Sequence, residues 1–432
     1  MKFKDIVINA FRVKELRKKM FMTLMLIIIF RIGCFIPVPG LNESAFSALA
    51  GNGMFKLYDM LSGGAFQQVS LFAMTISPYI NASIIVQLLT VAIPVFERWQ
   101  KEGPEGRKKI QKLTRGLTIG LALFQAIMMY FNIQGSTINL FSEPGSFDFF
   151  TFAIVILSFT AGTALMMWMG EQINNKGIGN GISILLFAGI IARFPYTISV
   201  LGQYWEQGLE ANQSLLIFVP LLIVLFLAVI WIITFMQDSE RRIPIQYAKR
   251  VVGRKMYGGQ SSHLPIKVAL GGVLPIIFAS SILSIPSTIK MFWQPSSGFW
   301  ASFLNAFSTD GWLYMLLYFI FIIAFAYFYT TIQYNPVEMA NNLKQNNGTI
   351  PGIRPGKPTV EFISKILSRI TLIGALFLAV IALVPLIYAA LTGMGGLSMG
   401  GTSVIILVGV ALETSKQMES QMMMRHYKGF LD

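Results

Sequence analysis

The sequence predicts an all-α polytopic membrane protein of ten transmembrane helices, and three observations carry that prediction. Hydrophobic residues make up 54% of the 432-residue chain and charged residues only 12%, about half the charged share of a soluble domain. Mean hydropathy is +0.62. Uncharged apolar runs recur at about the 20 residues that a helix needs to cross a bilayer. So little charge cannot cover the surfaces of the three soluble domains that the length alone would suggest. Disorder, collagen-like repeats and secreted disulfide scaffolds are excluded by the same composition.

The first span, residues 20–38, follows seven Lys and Arg and has no small-residue cleavage site after it, which predicts a retained span rather than a signal peptide. Further spans are expected at 72–92, 114–133, 149–170, 181–201, 214–236, 268–289, 311–333, 367–390 and 400–417. The uncharged stretch from Ile370 to Leu412 is too long for one crossing, and the glycine-rich run Gly393–Gly401 divides it into a helical hairpin. Between spans one and two, Gly53–Phe66 is apolar and helix-like but too short to cross. It predicts a re-entrant or interfacial helix, with an ordinary loop helix as the alternative, and Gly63 and Gly64 as a flexible junction to span two.

Basic residues give the orientation. Of the 34 Lys and Arg, 27 fall before span one, in the even-numbered loops, or at the end of span ten and beyond. Only Lys56, Arg193 and Lys290 lie in odd-numbered loops, and Arg31, Arg115, Lys267 and Arg369 lie in or beside spans. The positive-inside rule then makes both termini and the basic loops cytoplasmic. The two largest basic loops, residues 237–266 and 335–365, are longer than connectors need to be, which suggests surfaces for an acidic or protein partner as well as topology signals. Inside the spans charge is scarce. Arg31 is expected to snorkel outward past Pro37 and Pro39, and Arg193 interrupts span five beside Pro195, neither having an acidic partner in its own span.

Spans two and seven each carry a proline about one turn in, Pro78 and Pro275, and each is second in a group of five. That pattern hints at an inverted repeat with halves 1–210 and 211–432, because an odd number of spans per copy reverses the second copy. Ile76 and Ile80 are four apart, as are Ile182 and Leu186, so each pair shares a helical face; packing against lipid explains them equally well. Asn81, Ser83 and Gln87 on span two, Gln125 on span three, and Ser280 and Ser281 on span seven suggest interhelical hydrogen bonds or a wet cavity. Leu225 on span six is expected to face lipid. The lone cysteine Cys34 is expected to be a small buried hydrophobe, and His263 and His426 stand apart with no HExxH or CxxC spacing, so no metal or other cofactor is indicated. No Asp pair or Ser–His pair lies within the spans, and no GxxxxGK loop exists for direct nucleotide binding.

Ordered motifs from end to end resemble the SecY family, the channel subunits of the bacterial protein-export translocon. They are Phe30-Arg-Ile-Gly33, Ile36-Pro-Val-Pro-Gly40, Pro78-Tyr-Ile-Asn-Ala-Ser83, Glu105-Gly-Arg-Lys-Lys109, Gly170-Glu-Gln172, Gly177-Ile-Gly-Asn-Gly-Ile-Ser183, His263-Leu-Pro-Ile-Lys267, Pro351-Gly-Ile-Arg-Pro-Gly356 and Gly400-Gly-Thr-Ser403. The resemblance implies a clamshell of two inverted five-helix halves around an hourglass pore. It implies a pore ring of Ile76, Ile80, Ile182, Leu186, Ile277 and Ile406, the last with no signal of its own in the sequence. It implies a plug at about 53–66 that includes Phe55, Leu57, Tyr58, Leu61, Gly63 and Gly64, and a lateral gate formed by spans two and three against seven and eight.

By the same resemblance, Arg254, Lys255 and Arg354 stand where the family engages the SecA motor and the ribosome, and SecE-like and SecG-like small membrane subunits are the expected partners. Signal sequences, nascent polypeptides and the lipid bilayer complete the implied contacts, in a bacterial plasma membrane. Two positions depart from the family pattern: Asn81 where Ser or Thr is usual, and Ser262 where Thr usually precedes His263. The competing class is an inverted-repeat secondary transporter of a small solute, which hydropathy alone does not separate from a channel.

Overall fold

A computed structural model describes residues 11, 13–41, 59, 62–133, 148–210, 213–247, 250–252, 255–257, 261–292, 298–307, 311–392 and 401–426. A chain this apolar must pair its backbone polar groups internally, and helices do that within one segment. In the first half they are α1 (Lys14–Gly33), α2 (Ser77–Ala92), α3 (Pro94–Lys101), α4 (Pro104–Ile133), α5 (Phe149–Lys176), α6 (Gly181–Ala192) and α7 (Phe194–Glu210). The second half contains α8 (Leu215–Asp238), α9 (Leu274–Phe292), α10 (Phe299–Ala306), α11 (Trp312–Gln333), α12 (Pro336–Gln345), α13 (Lys357–Thr392) and α14 (Gly401–His426).

Local chemistry sets the breaks. Pro78 sits in the first turn of α2, where its missing N–H costs nothing. At the other end Pro94 forces Ile93 into an extended conformation, and α3 leaves α2 at 100°. α5 opens on an N-cap in which the Asp148 carboxylate accepts from the Phe150 amide at 3.0 Å. α6 ends at Ala192 and α7 begins at Phe194, so the expected interruption of span five falls at Arg193.

Each expected span contains a helix. Among the described residues, six stretches are long and apolar enough to cross a bilayer: Pro104–Phe131, Phe149–Lys176, Gly181–Glu210, Leu215–Asp238, Trp312–Gln345 and Lys357–Thr392. The bent pair α2–α3 makes a seventh. α8 shows its surroundings most plainly, with Ile217, Trp231 and Phe235 all exposed on a helix that carries no charge until its last residue. Leu225 departs from expectation, being half-buried against the central apolar cluster, whereas its neighbour Val224 is exposed.

The chain is not purely α-helical. Residues expected to form two separate cytoplasmic loops build one small sheet: β1 (Glu240–Tyr247), β4 (Ser261–Lys267) and β5 (Gly348–Thr349), in the order β4-β1-β5 and antiparallel throughout. β2 (Arg250–Val252) and β3 (Lys255–Tyr257) pair in a second ladder. The sequence concealed β1 because Pro244 interrupts an alternation that nevertheless buries Ile243 and Ile245. Those side chains share a core with Ile266, Leu343, Ile350 and Ile363, so β1, β4, α12 and the start of α13 pack as a unit.

Candidate functional site

Six aliphatic side chains from four helices belong to one large apolar cluster. Ile76 caps α2 and Ile80 lies one turn inside it; Ile182 and Leu186 occupy the first two turns of α6; Ile277 lies on α9 and Ile406 on α14. Ile76, Ile80, Leu186 and Ile406 are buried and Ile182 and Ile277 half-buried, all within one apolar cluster drawn from both halves of the chain. The shared helical faces expected from i,i+4 spacing therefore point inward.

Next to this cluster, the chain entering span two is pinned by two arginines. Arg31 donates to the Gly63 carbonyl at 3.2 Å and its guanidinium lies 5.4 Å from the Phe35 ring. Arg193 pairs with the Asp59 carboxylate and sits 4.1 Å from the Tyr196 ring. Asp59 is 5% exposed and Arg193 12% exposed, so the pair is nearly dry. Burial pushes the Asp59 carboxyl above its ordinary value, while Arg193 and the Gln67 amide beside it act in the opposite direction. Neither arginine has an acidic partner in its own span, as expected; each finds its partner in the segment before span two. Their partners are 32 and 134 residues away, beyond the reach of helical spacing.

Gly63 and Gly64 are also revised. Their φ values are +69° and +92°, and a Cβ on Gly63 would stand 2.6 Å from the Arg31 guanidinium and 2.8 Å from the Gly189 carbonyl. Glycine is required there by handedness and close approach rather than by looseness. Cys34 is buried as expected, its thiol 3.6 Å from the Ser62 carbonyl. Phe55, Leu57, Tyr58 and Leu61 lie outside the described residues.

α9 packs against both α2 and α4, which places helices of the expected gate in contact. Asn81, Ser83 and Gln87 on α2, Gln125 on α4, and Ser280 and Ser281 on α9 are all half-buried. The Ser280 hydroxyl bonds within its own helix rather than to a neighbouring one. Ser280 donates to the Ile277 carbonyl at 2.9 Å, and the Ser281 carbonyl accepts from Ser284 at 2.7 Å, both within α9. A hydroxyl one turn from a free lone pair of its own helix satisfies itself there first.

Arg354 is exposed on the turn between β5 and α13, where Gly352 and Gly356 adopt φ +81° and +107° and the Arg354 carbonyl accepts from the Thr359 hydroxyl at 2.9 Å. Lys255 opens β3, and Arg254 lies outside the described residues. Sequence reasoning missed Glu171, a buried carboxylate on α5 that accepts from Arg115 at 2.7 Å and Gln111 at 3.2 Å on α4. An acidic residue inside the Gly170-Glu-Gln172 motif opposite a basic one at the edge of span three was the available signal.

This succession of motifs has a counterpart in known proteins: the profile of the SecY family matches residues 70–415. The chain belongs to the SecY family. A SecY-family relative from Bacillus subtilis (strain 168), named protein translocase subunit SecY, is 45% identical over 430 residues, covering 98% of each chain. The fold also matches a structure described as that of a protein-conducting channel, with a TM-score of 0.65 at 17% identity over 94% of this chain and 92% of that one. Sec61 in the canine ribosome–channel complex from the endoplasmic reticulum gives 0.62 at 16% identity, again over 94% and 92%. Both solved structures share the SecY-family fold with this chain at low identity.

Proposed function

We propose that this chain is the protein-conducting channel of a bacterial plasma-membrane translocon, passing unfolded secretory polypeptides across the bilayer and releasing membrane helices sideways into it. The observation that carries the reading is that Ile76 and Ile80 at the start of α2, Ile182 and Leu186 on α6, Ile277 on α9 and Ile406 on α14 all belong to one apolar cluster drawn from both halves of the chain. A constriction that binds nothing tightly suits a conduit for many sequences, because recognition of one substrate would impede the rest. The chain is a channel subunit rather than an enzyme, in keeping with relatives named translocase subunits and a fold shared with protein-conducting channels.

In this reading ten helices span the membrane in two inverted halves, 1–210 and 211–432, with both termini cytoplasmic. α2 and α4 against α9 and α11 form the lateral gate, with Asn81, Ser83, Gln87, Gln125, Ser280 and Ser281 along it. The segment around 53–66 is the plug. SecE-like and SecG-like subunits flank the halves, and the cytoplasmic sheet with Arg254, Lys255 and Arg354 receives a SecA-type motor or the ribosome. A pairing of β1 with both β4 and β5 supports one docking platform in place of two independent loops.

The test is reconstitution with the small subunits and the motor in sealed vesicles. The expected result is protease protection of a signal-bearing unfolded polypeptide and no accumulation of small solutes. Concentrative solute uptake without polypeptide translocation would return the transporter reading in its place.

A further inference from the structure

β1 and β4 carry the same short pattern, an Arg or His followed by an aliphatic residue, proline, isoleucine and a polar residue: Arg242-Ile243-Pro244-Ile245-Gln246 and His263-Leu264-Pro265-Ile266-Lys267. Antiparallel pairing sets the two copies against each other, with Pro244 opposite His263 and Arg242 opposite Pro265. Ile243, Ile245 and Ile266 are buried in the core beneath the sheet. Arg242, Pro244, His263, Pro265 and Lys267 are exposed.

Proline has no N–H to give to a ladder, so a strand tolerates it where that N–H would point away from the partner. The pairs Pro244–His263 and Arg242–Pro265 lie two residues apart, and pairs of an antiparallel ladder alternate between two classes, so both belong to the same class. Both prolines fit when this is the class whose backbone groups turn outward. β5 bears that out on the β1 side. Gln246, two residues on from Pro244, pairs with Thr349, and its carbonyl accepts from the Thr349 hydroxyl at 3.2 Å. Two residues further along that register Pro351 would stand opposite Pro244, neither with a backbone donor, and β5 ends at Thr349.

On the far side of β4 no described strand pairs with the sheet. The residues turned outward along that edge include His263, Pro265 and Lys267, and Pro265 takes the donor out of the middle of the three. An edge with an unbroken row of donors and acceptors is a template for any extended chain. A channel for unfolded polypeptides works beside such chains, and the sheet is the surface read above as receiving the partner that delivers them.

From this we infer that Pro265, with Pro244 on the opposite side, keeps the sheet from taking up the passing polypeptide as a further strand. The inference rests on the channel reading above. The rejected ligand is defined by its backbone: any extended segment with free N–H and C=O groups, whatever its side chains.

Peptide binding to the full-length channel, assembled with its small subunits, tests it. Pro265→Val restores the missing donor with a side chain suited to a strand. The probes are two fluorescent peptides of one alternating Thr-Val sequence, the second N-methylated at every residue so that it cannot pair. The wild-type channel should bind the two equally weakly. Pro265→Val should bind the unmethylated peptide about fivefold more tightly, the factor that one net hydrogen bond supplies, and its methylated twin no better. Pro265→Ala, which restores the same donor with a smaller side chain, should show the same preference. Ser262→Val, at a position of the other class, should gain nothing. A preference for the unmethylated peptide in the wild type, no gain in either Pro265 variant, or an equal gain for both peptides would overturn the inference. In export assays a strand-prone polypeptide should pass through the Pro265→Val channel more slowly than through the wild type, and a Gly/Ser-rich one at the same rate. Equal rates for the strand-prone polypeptide in the two channels count against this inference alone, whereas a wild type that exports neither polypeptide removes the channel reading as well.

Discussion

Replacing Asp59 with Asn removes one charge from a pair that is almost completely dry, and the two halves of that pair should not be equivalent. A guanidinium does not give up its proton in a protein, so Asp59→Asn strands a buried Arg193 whose Nε already has no hydrogen-bond partner among the described residues. Breaking a buried pair from one side costs about 3–5 kcal/mol. The amide can still accept from Gln67, and Tyr196 still faces the cation, which places Asp59→Asn at the lower end, about 3 kcal/mol. In the converse variant, Arg193→Gln, no cation is left stranded and loss of Arg193 lets burial push the carboxyl further above its ordinary value, so the cost is that of a lost hydrogen-bonded partner, about 1–2 kcal/mol. If the pair holds the approach to span two in its closed position, these energies appear as a shift toward release, about 10²-fold for Asp59→Asn and about tenfold for Arg193→Gln. Resting ion conductance of purified channels in planar bilayers reads that shift. The double variant should resemble Arg193→Gln alone, because no stranded charge remains. Equal conductance in the two single variants, or an additive double variant, would refute the pairing argument.

The constriction predicts position dependence: Ile80→Asn should raise resting conductance and relax the need for a strong signal sequence, while Val224→Asn on the exposed face of α8 should impair insertion without leak, both read in bilayers and export assays. Gly63→Ala should destabilise the closed state by about 1–2 kcal/mol through its left-handed φ and its collision with Arg31, seen as increased leak at unchanged assembly. Arg354→Glu should abolish motor-driven export and leave co-purification with the small subunits intact. Cysteines at Arg354 and Glu206 in a Cys34→Ser background should label from opposite sides of sealed membranes, and labelling from one side would overturn the orientation.

Much of the architecture was legible because the bilayer imposes its own rules on sequence. Apolar runs of bilayer length and prolines near the starts of spans two and seven are local or compositional features, and they need no knowledge of what touches what. The aliphatic pairs Ile76–Ile80 and Ile182–Leu186 likewise declared a shared face, though not which surroundings that face would meet. Tertiary structure decided the rest. It brought Ile277 and Ile406 from the second half onto the same cluster, paired Arg193 with Asp59, and joined two loop segments about 100 residues apart through Gln246 and Thr349. It also turned Gly63 from a supposed hinge into a sterically required contact. The reason is physical. Burial along one helix follows from its own periodicity, whereas an ion pair, a sheet register or a glycine contact depends on a partner whose position is fixed only when the helices pack.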